Sequence, residues 1–200
     1  MERCESSELS VAVEAATAPD SWIVTMTAPG RPGTLALFAG VLTLTGLNIC
    51  WASVRLRPDG AVEDMFEVTG VMTSGAEAEG ARAIFSALVN AWEGRLDVPA
   101  EIARVRTPAR RAIGVPVRVE FDTNSSITTG IRLRAADRPG LLHDAARSIS
   151  MHGLRMRSIT VLSANGIARD NFRVVDEHLR PPQDPALLDR IRQTLEVACR

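Results

Sequence analysis

Two triplets have the types and spacing to do chemistry, Arg31-Pro32-Gly33 and Arg138-Pro139-Gly140, each placed just before an apolar run of helical period. A turn that opens a helix leaves the leading N–H groups without intrahelical partners, and the helix dipole there favours a carboxylate. Gly33 and Gly140 would let a ligand approach the backbone closely, because no Cβ stands in the way. The plainer reading is a tight turn and nothing more. Other chemistry finds less support. Every basic residue is arginine and there is no tyrosine, so no Schiff base, P-loop ammonium or Lys or Tyr general base can be built, and arginine stays protonated near neutral pH. His143-Asp144 is the one His-Asp dipeptide. At about 100° per residue the next histidine, His152, falls on the opposite side of the same helix, so the two cannot share a metal. Cys4, Cys50 and Cys199 are far apart and form no C-x-x-C pair. That argues against a disulfide framework or zinc knuckle and for a reducing compartment. No G-x-S-x-G, H-E-x-x-H or G-x-G-x-x-G occurs. No catalytic residue, metal or cofactor is expected, and the chain reads as a non-enzyme.

The elements that must position these triplets come from a duplication. Shifted by 107 residues, residues 28–49 fall on 135–156, with Ala28, Arg31, Pro32, Gly33, Leu35, Ala39, Gly46 and Leu47 meeting identical partners. At a shift of 106, GAVEDMFEVTG (60–70) meets GIARDNFRVVD (166–176), repeating Gly, Asp, Phe and Val. The chain is thus a tandem pair of units near 100 residues each. Within each unit the periodicities give one series. Val24, Met26 and Ala28, like Ile131, Leu133 and Ala135, alternate as a strand. Leu35, Phe38, Ala39 and Leu42, like Leu142, Ala145, Ala146 and Ile149, form one helical face that stops at Gly46 or Gly153. Two strands follow, near 48–56 and 61–69 and near 155–163 and 167–175, with turns at Pro58-Asp59-Gly60 and Asn165-Gly166. A second amphipathic helix closes each unit, through Ile84, Phe85, Leu88 and Trp92 and through Leu187, Leu188, Ile191 and Leu195.

Strand, helix, strand, strand, helix is the ferredoxin-like plan lacking one strand, so the fold class is α+β with antiparallel sheets and helices on one face. The missing strand has a candidate ahead of each unit, at Leu9, Val11 and Val13 and at Val115, Val117, Val119 and Phe121. A hairpin from that strand into its unit's first strand is preferred, since it lets the sequence end straight after a helix. The alternative has Val115–Phe121 closing the first unit. Residues 97–112, with Pro99, Pro108 and four arginines, read as the connection, giving domains 1–112 and 113–200.

Composition bounds the remaining possibilities. With 46% hydrophobic and 24% charged residues and a net charge of −1, this is an ordinary globular composition with no global pull toward nucleic acid or an anionic bilayer. The basic run in 97–112 has no interleaved aromatic residues and reads as a solvated face. Residues 32–54 carry no charge and are long enough for a membrane span. Their counterparts carry His143, Asp144, Arg147, Arg155 and Arg157, so the element belongs to a soluble fold. MERCESSELS lacks the pattern of a signal peptide, which makes a cytoplasmic location the expectation and Asn124-Ser125-Ser126 no glycan site. Leu37, Val41 and Leu44 form an apolar stripe away from the core face of the first helix. Such a stripe is usually covered, either by the other unit or by a second chain in a homodimer.

Strand, R-P-G turn, helix, G-L-N-I and a hairpin bearing D-x-F-x-V together resemble the ACT domain, a small-molecule-binding regulatory module of amino-acid metabolism, and both units carry the pattern. The stretch VRVEFDTNSSITTGIRLRAADRPGLLHDAARSI (117–149) is more specific. It resembles the C-terminal region of bifunctional PII uridylyltransferase/uridylyl-removing enzymes, in which two ACT domains are joined by a similar F-D-N-x-x-S segment. The resemblance implies glutamine sensing linked to nitrogen metabolism, although the catalytic signatures of those enzymes do not occur in this chain. It also implies a ligand at the interface of side-by-side units, with the loop of one facing the post-helix residue of the other. Carried over, that pairs Asp137, Arg138, Gly140 and Leu141 with Asn48 and Ile49 in one composite site, and Gly30, Arg31, Gly33 and Thr34 with Arg155 in another. Only the first offers the acid and amide suited to an α-amino acid, so the second is expected to be degenerate or altered. Asp137 could instead cap its helix, and Asn48 could be a turn residue. The functional expectation is a non-catalytic amino-acid sensor. The alternative is a ligand-free pair kept for assembly or protein contact.

Overall fold

A computed structural model describes residues 1–6, 8–70, 72, 75–105 and 115–200. The first unit runs β1 (Glu2–Glu5), β2 (Ser10–Ala15), β3 (Ser21–Pro29), α1 (Thr34–Leu44), β4 (Leu47–Leu56), β5 (Ala61–Gly70), α2 (Glu77–Trp92) and α3 (Val98–Val105). The second runs β6 (Arg118–Asp122), β7 (Thr129–Ala136), α4 (Leu141–Ser150), β8 (Arg155–Ala164), β9 (Ile167–Val175) and α5 (Pro185–Ala198). Both sheets are antiparallel, in the orders β1-β2-β3-β5-β4 and β6-β7-β9-β8. The hairpin placement of the extra strand is therefore the one adopted. β2 pairs with β3 and β6 with β7, filling the slot that a C-terminal fourth strand would otherwise take. Period-2 alternation explains the packing, since Val24, Met26, Ala28, Phe66 and Val68 turn inward with no exposure, as do Ile131, Ala135, Phe172 and Val174. Turn chemistry fixes the registers, with Gly60, Asn165 and Gly166 all at positive φ in the two hairpin loops.

The two units lie side by side. The outermost strands of the two sheets, β4 and β8, face one another edge to edge, and α1 packs against α4. The arrangement is a pseudo-two-fold. A Cβ on Gly33 would lie 3.8 Å from Ser150, and one on Gly140 would lie 3.8 Å from Thr43. These two contacts exchange under the shift of the repeat, so α1 and α4 run antiparallel. At the crossing, His143 donates from Nδ1 to the carbonyl oxygen of Ala36 (2.8 Å), a residue 107 positions earlier and thus its own counterpart. Gly40 makes the close approach possible. A Cβ there would stand 2.3 Å from Val98 Cγ1 and 2.8 Å from His143 Nδ1.

Two segments differ from the sequence expectation. Residues 98–105 are a helix and not a plain connection. Asp97 accepts from the N–H of Ala100 (3.1 Å), Pro99 sits in the first turn, where its missing N–H costs nothing, and Val98 and Ile102 are 2% exposed. The helix lies against α1 and brings Ile102 to within 3.1 Å of a Cβ built on Gly140, so it bridges both units. The remainder of that stretch and the expected boundary at 112/113 fall outside the described residues. The added strand β1 shows no alternation, being mostly exposed along its length, and that left it unreadable.

The uncharged stretch 32–54 is explained by its position. α1 is buried nearly all round, with β4 behind it and α2, α3 and α4 around it. Val41 of the apolar stripe is wholly buried within the single chain and Leu37 and Leu44 are half-buried, so this stripe is not a face left open for a second chain. Among the described residues no helix is long and apolar enough to cross a membrane.

Candidate functional site

Each unit presents its R-P-G turn to the other in the same way. The backbone N–H of Asp137 donates to Gly166 (2.9 Å), and that of Gly30, its counterpart, donates to Gly60 (3.0 Å), so each turn is tied to its own unit's hairpin loop. A Cβ on Gly30 would fall 2.5 Å from the Gly60 carbonyl oxygen. Glycine here is therefore a packing requirement, and the aspartate of the second unit could not simply be placed there. Gly33 and Gly140 then take left-handed φ values of 87° and 78° and open α1 and α4 with no side-chain cap on either helix. Asp137 thus does not cap α4. Thr34 turns back instead, donating from its hydroxyl to the Arg31 carbonyl (2.9 Å).

Two clefts result at the interface. One, nearly closed at about 20 Å³, is walled by Asp137, Arg138, Gly140 and Leu141 from the second unit and by Thr43, Leu47, Asn48 and Ile49 from the first. The other, of about 300 Å³, is walled by Gly30, Arg31, Gly33 and Thr34 from the first unit and by Leu154, Arg155, Met156 and Arg157 from the second. The residues assigned from sequence to each composite site are brought together, those of one site in one cleft and those of the other in its counterpart.

Each cleft also contains a buried acid that the sequence reading passed over as a site residue. Asp170 lines the smaller and Asp64 the larger. They are the repeated Asp of D-x-F, only 3% and 1% exposed. Both carboxylate oxygens of Asp64 and Oδ1 of Asp170 are buried without a hydrogen-bond partner. Burial pushes the Asp64 carboxyl up to about 8, with the charge of Glu63 adding to the effect. Asp170 is pushed up to about 7, again by burial first and by Asp137 second. The signal was present in the sequence. Asp64, Phe66 and Val68 stand two apart, as do Asp170, Phe172 and Val174, so period 2 points the acid to the same inward face as the core residues.

The two arginines of the triplets line the clefts, yet their guanidinium groups are braced within their own units. That of Arg31 stacks on Trp92 at the end of α2, 3.5 Å from the ring centroid. Arg138 pairs with Asp144 (2.8 Å) and donates to the Ala198 carbonyl at the end of α5 (2.7 Å), while its Nε is buried without a partner. Two of the three histidines serve packing: His143 joins α4 to α1, and His152 meets the hydroxyl of Thr194 on α5 (3.1 Å). Among the described residues no group of three or more His, Cys, Asp or Glu could hold a metal, and the three cysteines form no disulfide.

Over most of its length the chain matches curated bifunctional uridylyltransferase/uridylyl-removing enzymes. It is 34% identical over 193 residues, 92% of the chain, to the bifunctional uridylyltransferase/uridylyl-removing enzyme of Gluconobacter oxydans. It is 30% identical over 207 aligned residues, 99% of the chain, to the same enzyme of Rhodospirillum rubrum. The likeness is to one segment of that enzyme. The chain spans 20% and 22% of the length of these two relatives. Among solved structures, an aspartate kinase from Synechocystis aligns over 80% of this chain and 25% of its own, at 19% identity and a TM-score of 0.45. No protein-family model matches the chain.

Proposed function

We propose that this chain is a non-catalytic, cytoplasmic amino-acid sensor of the ACT type, taking glutamine or a related amino acid between its two units. In this reading it is the counterpart of a regulatory segment of a uridylyltransferase/uridylyl-removing enzyme and passes ligand occupancy on to uridylyl transfer or removal. The observation that carries the reading is the composite cleft that brings the Asp137 turn of one unit together with Asn48 of the other and with the buried Asp170 carboxyl, whose Oδ1 has no hydrogen-bond partner. An α-amino acid needs donors for its carboxylate and acceptors for its ammonium within a few ångströms of each other. The uncapped N-terminus of α4 supplies the first. Asp137 and Asp170 supply the second, and the Asn48 amide can hold a polar side chain. Because the cleft belongs to both units, a ligand that binds it favours one relative setting of the two, which is the physical content of regulation here.

A thermal-shift panel of the twenty amino acids tests this. A ligand at about 100 times its Kd adds about 2.7 kcal/mol, which for a chain of this size is a rise of roughly 5–10 °C. The response is expected with glutamine or a close analogue and is expected to disappear in Asp137→Ala. No shift with any amino acid at millimolar concentration would favour the ligand-free assembly module instead.

A further inference from the structure

We propose that the larger cleft, between the Arg31 turn and Arg155, is a second ligand site that takes an amino acid with an acidic side chain. The inference rests on the proposed function only in treating the interface clefts as ligand sites. Its chemistry comes from residues by which this cleft differs from its counterpart.

Asp64 is the first observation. Its carboxylate is 1% exposed, lines the cleft and has no hydrogen-bond partner on either oxygen. A buried acid left in this way is costly unless something bearing N–H groups or a positive charge completes it. No arginine of the cleft reaches it, since no ion pair joins Asp64 to any described residue. A ligand ammonium would satisfy both oxygens. The second observation is the opposite wall. Where the first unit has Asn48, the second has Arg155, and Arg157 follows on the same strand, both exposed at the cleft. The third is the start of α1, which lacks both a side-chain cap and any acidic residue in its first turn. An α-carboxylate fits that helix start, an ammonium fits Asp64, and a second carboxylate fits the Arg155 and Arg157 side.

Charge separates the two clefts. With Asp64 ionised, three arginines against one aspartate leave the larger cleft at +2. In the smaller, Asp137 and Asp170 face one arginine that is already paired with Asp144. A zwitterion with an extra negative charge suits the first and is repelled by the second. Among the described residues no aromatic ring lines the larger cleft to stack a base, and the two orphan oxygens of Asp64 call for N–H donors that an inorganic anion lacks, which argues for an amino acid over a nucleotide or phosphate.

The test is isothermal titration of the 200-residue chain with L-glutamate and L-aspartate, alone and with the best neutral amino acid of the panel already saturating. One of the acidic amino acids is expected to bind in both cases. Arg155→Glu, a substitution at an exposed residue, is expected to weaken that binding at least tenfold (about one to two charged hydrogen bonds), as is Arg157→Glu to a smaller extent. No heat and no thermal shift with either acid up to about 10 mM (weaker than about 3 kcal/mol of binding) overturns the proposal. So does an Arg155→Glu chain that binds the acid as tightly as its parent. A neutral response without an acidic one leaves the sensor reading standing and removes this one. An acidic response that survives Asn48→Ala, while the neutral response is lost, supports the assignment of the two ligands to two clefts.

Discussion

The cleft at Asp137 and Asn48 and the cleft at Gly30 and Arg155 share one backbone plan and each hold one buried aspartate, but they differ in size, about 20 against 300 Å³, and in the sign of the charge around them. The difference is concentrated at three aligned positions. Ahead of the helix, Asp137 stands against Gly30, and after it Asn48 stands against Arg155 and Cys50 against Arg157. Duplication gives two equivalent clefts, and three substitutions suffice to make their electrostatics diverge while the packing that creates them stays symmetric. The lesson is that the interface is one structural device with two chemical settings. Anything that disturbs the interface should act on both clefts, and anything that disturbs a wall should act on one.

The largest expected effect follows from the shared device. In Gly40→Val the new side chain must displace Val98 and His143, whose atoms would lie 2.3 and 2.8 Å from its Cβ. A loss of more than about 3 kcal/mol is expected by urea denaturation, at the upper end of what overpacking costs, with both ligand responses lost together. Retention of either response alone would break the view that one interface builds both clefts.

The buried acids sharpen the comparison through pH. Asp64 and Asp170 have carboxyls raised in the fold to about 8 and about 7 from an ordinary value of 3.8. The folded values lie above the unfolded ones, so the stability these groups contribute is fully present below about pH 4 and is lost as pH rises through about 7 to 8. The unliganded chain is therefore expected to lose stability progressively from about pH 4 and to level off above about pH 8, the part between pH 6 and 8 amounting to about 2–3 kcal/mol after allowance for water reaching the carboxylates. Asp64→Asn and Asp170→Asn should each flatten part of that slope in thermal melts across pH, and each should raise the melting point of the unliganded chain at pH 9. A slope unaltered in both variants would mean that neither acid is as isolated as its surroundings indicate.

A smaller contrast separates the two turns. Arg138 holds an ion pair with both side chains little exposed, 11% and 15%, together with a carbonyl at the end of α5. Among the described residues the Arg31 guanidinium has only the face of Trp92. Arg138→Ala is expected to cost about 2 kcal/mol and Arg31→Ala under about 1 kcal/mol. Equal losses by chemical denaturation would show that the turn beside the larger cleft is held as firmly as the other.

Much of this arrangement was legible in the sequence, and the reasons are specific. Leu35, Phe38, Ala39 and Leu42 mark a helix because their spacing is helical. Pro58-Asp59-Gly60 and Asn165-Gly166 mark hairpin turns because glycine and asparagine accept positive φ, as they do in the structure. The segment 98–105 was obscured because Pro99 and the run of arginines that begins at Arg104 resemble a linker, although Asp97 followed by Val98 and Ile102 carries a cap and a one-turn apolar repeat. β1 left no pattern at all, since an exposed edge strand has no face that must be apolar.

The site divides in the same way. Sequence alone determined that two R-P-G turns exist, that each opens a helix, and that the halves differ at positions 30 and 137 and at 48 and 155, because local spacing and a repeat need no coordinates to be read. The period-2 spacing of Asp64 and Asp170 with the core residues beyond them was present as well, but it was not read as an inward face and could not show what they would meet there. Only the tertiary structure decided that α1 and α4 pack antiparallel through Gly40 and His143, that each turn consequently looks into the other unit, and that the two aspartates end in clefts with both oxygens of Asp64 and one of Asp170 unpartnered. Those outcomes depend on contacts between residues about a hundred positions apart. Burial, and with it the charge state of a carboxyl, is a property of everything packed around a group and not of its neighbours in the chain.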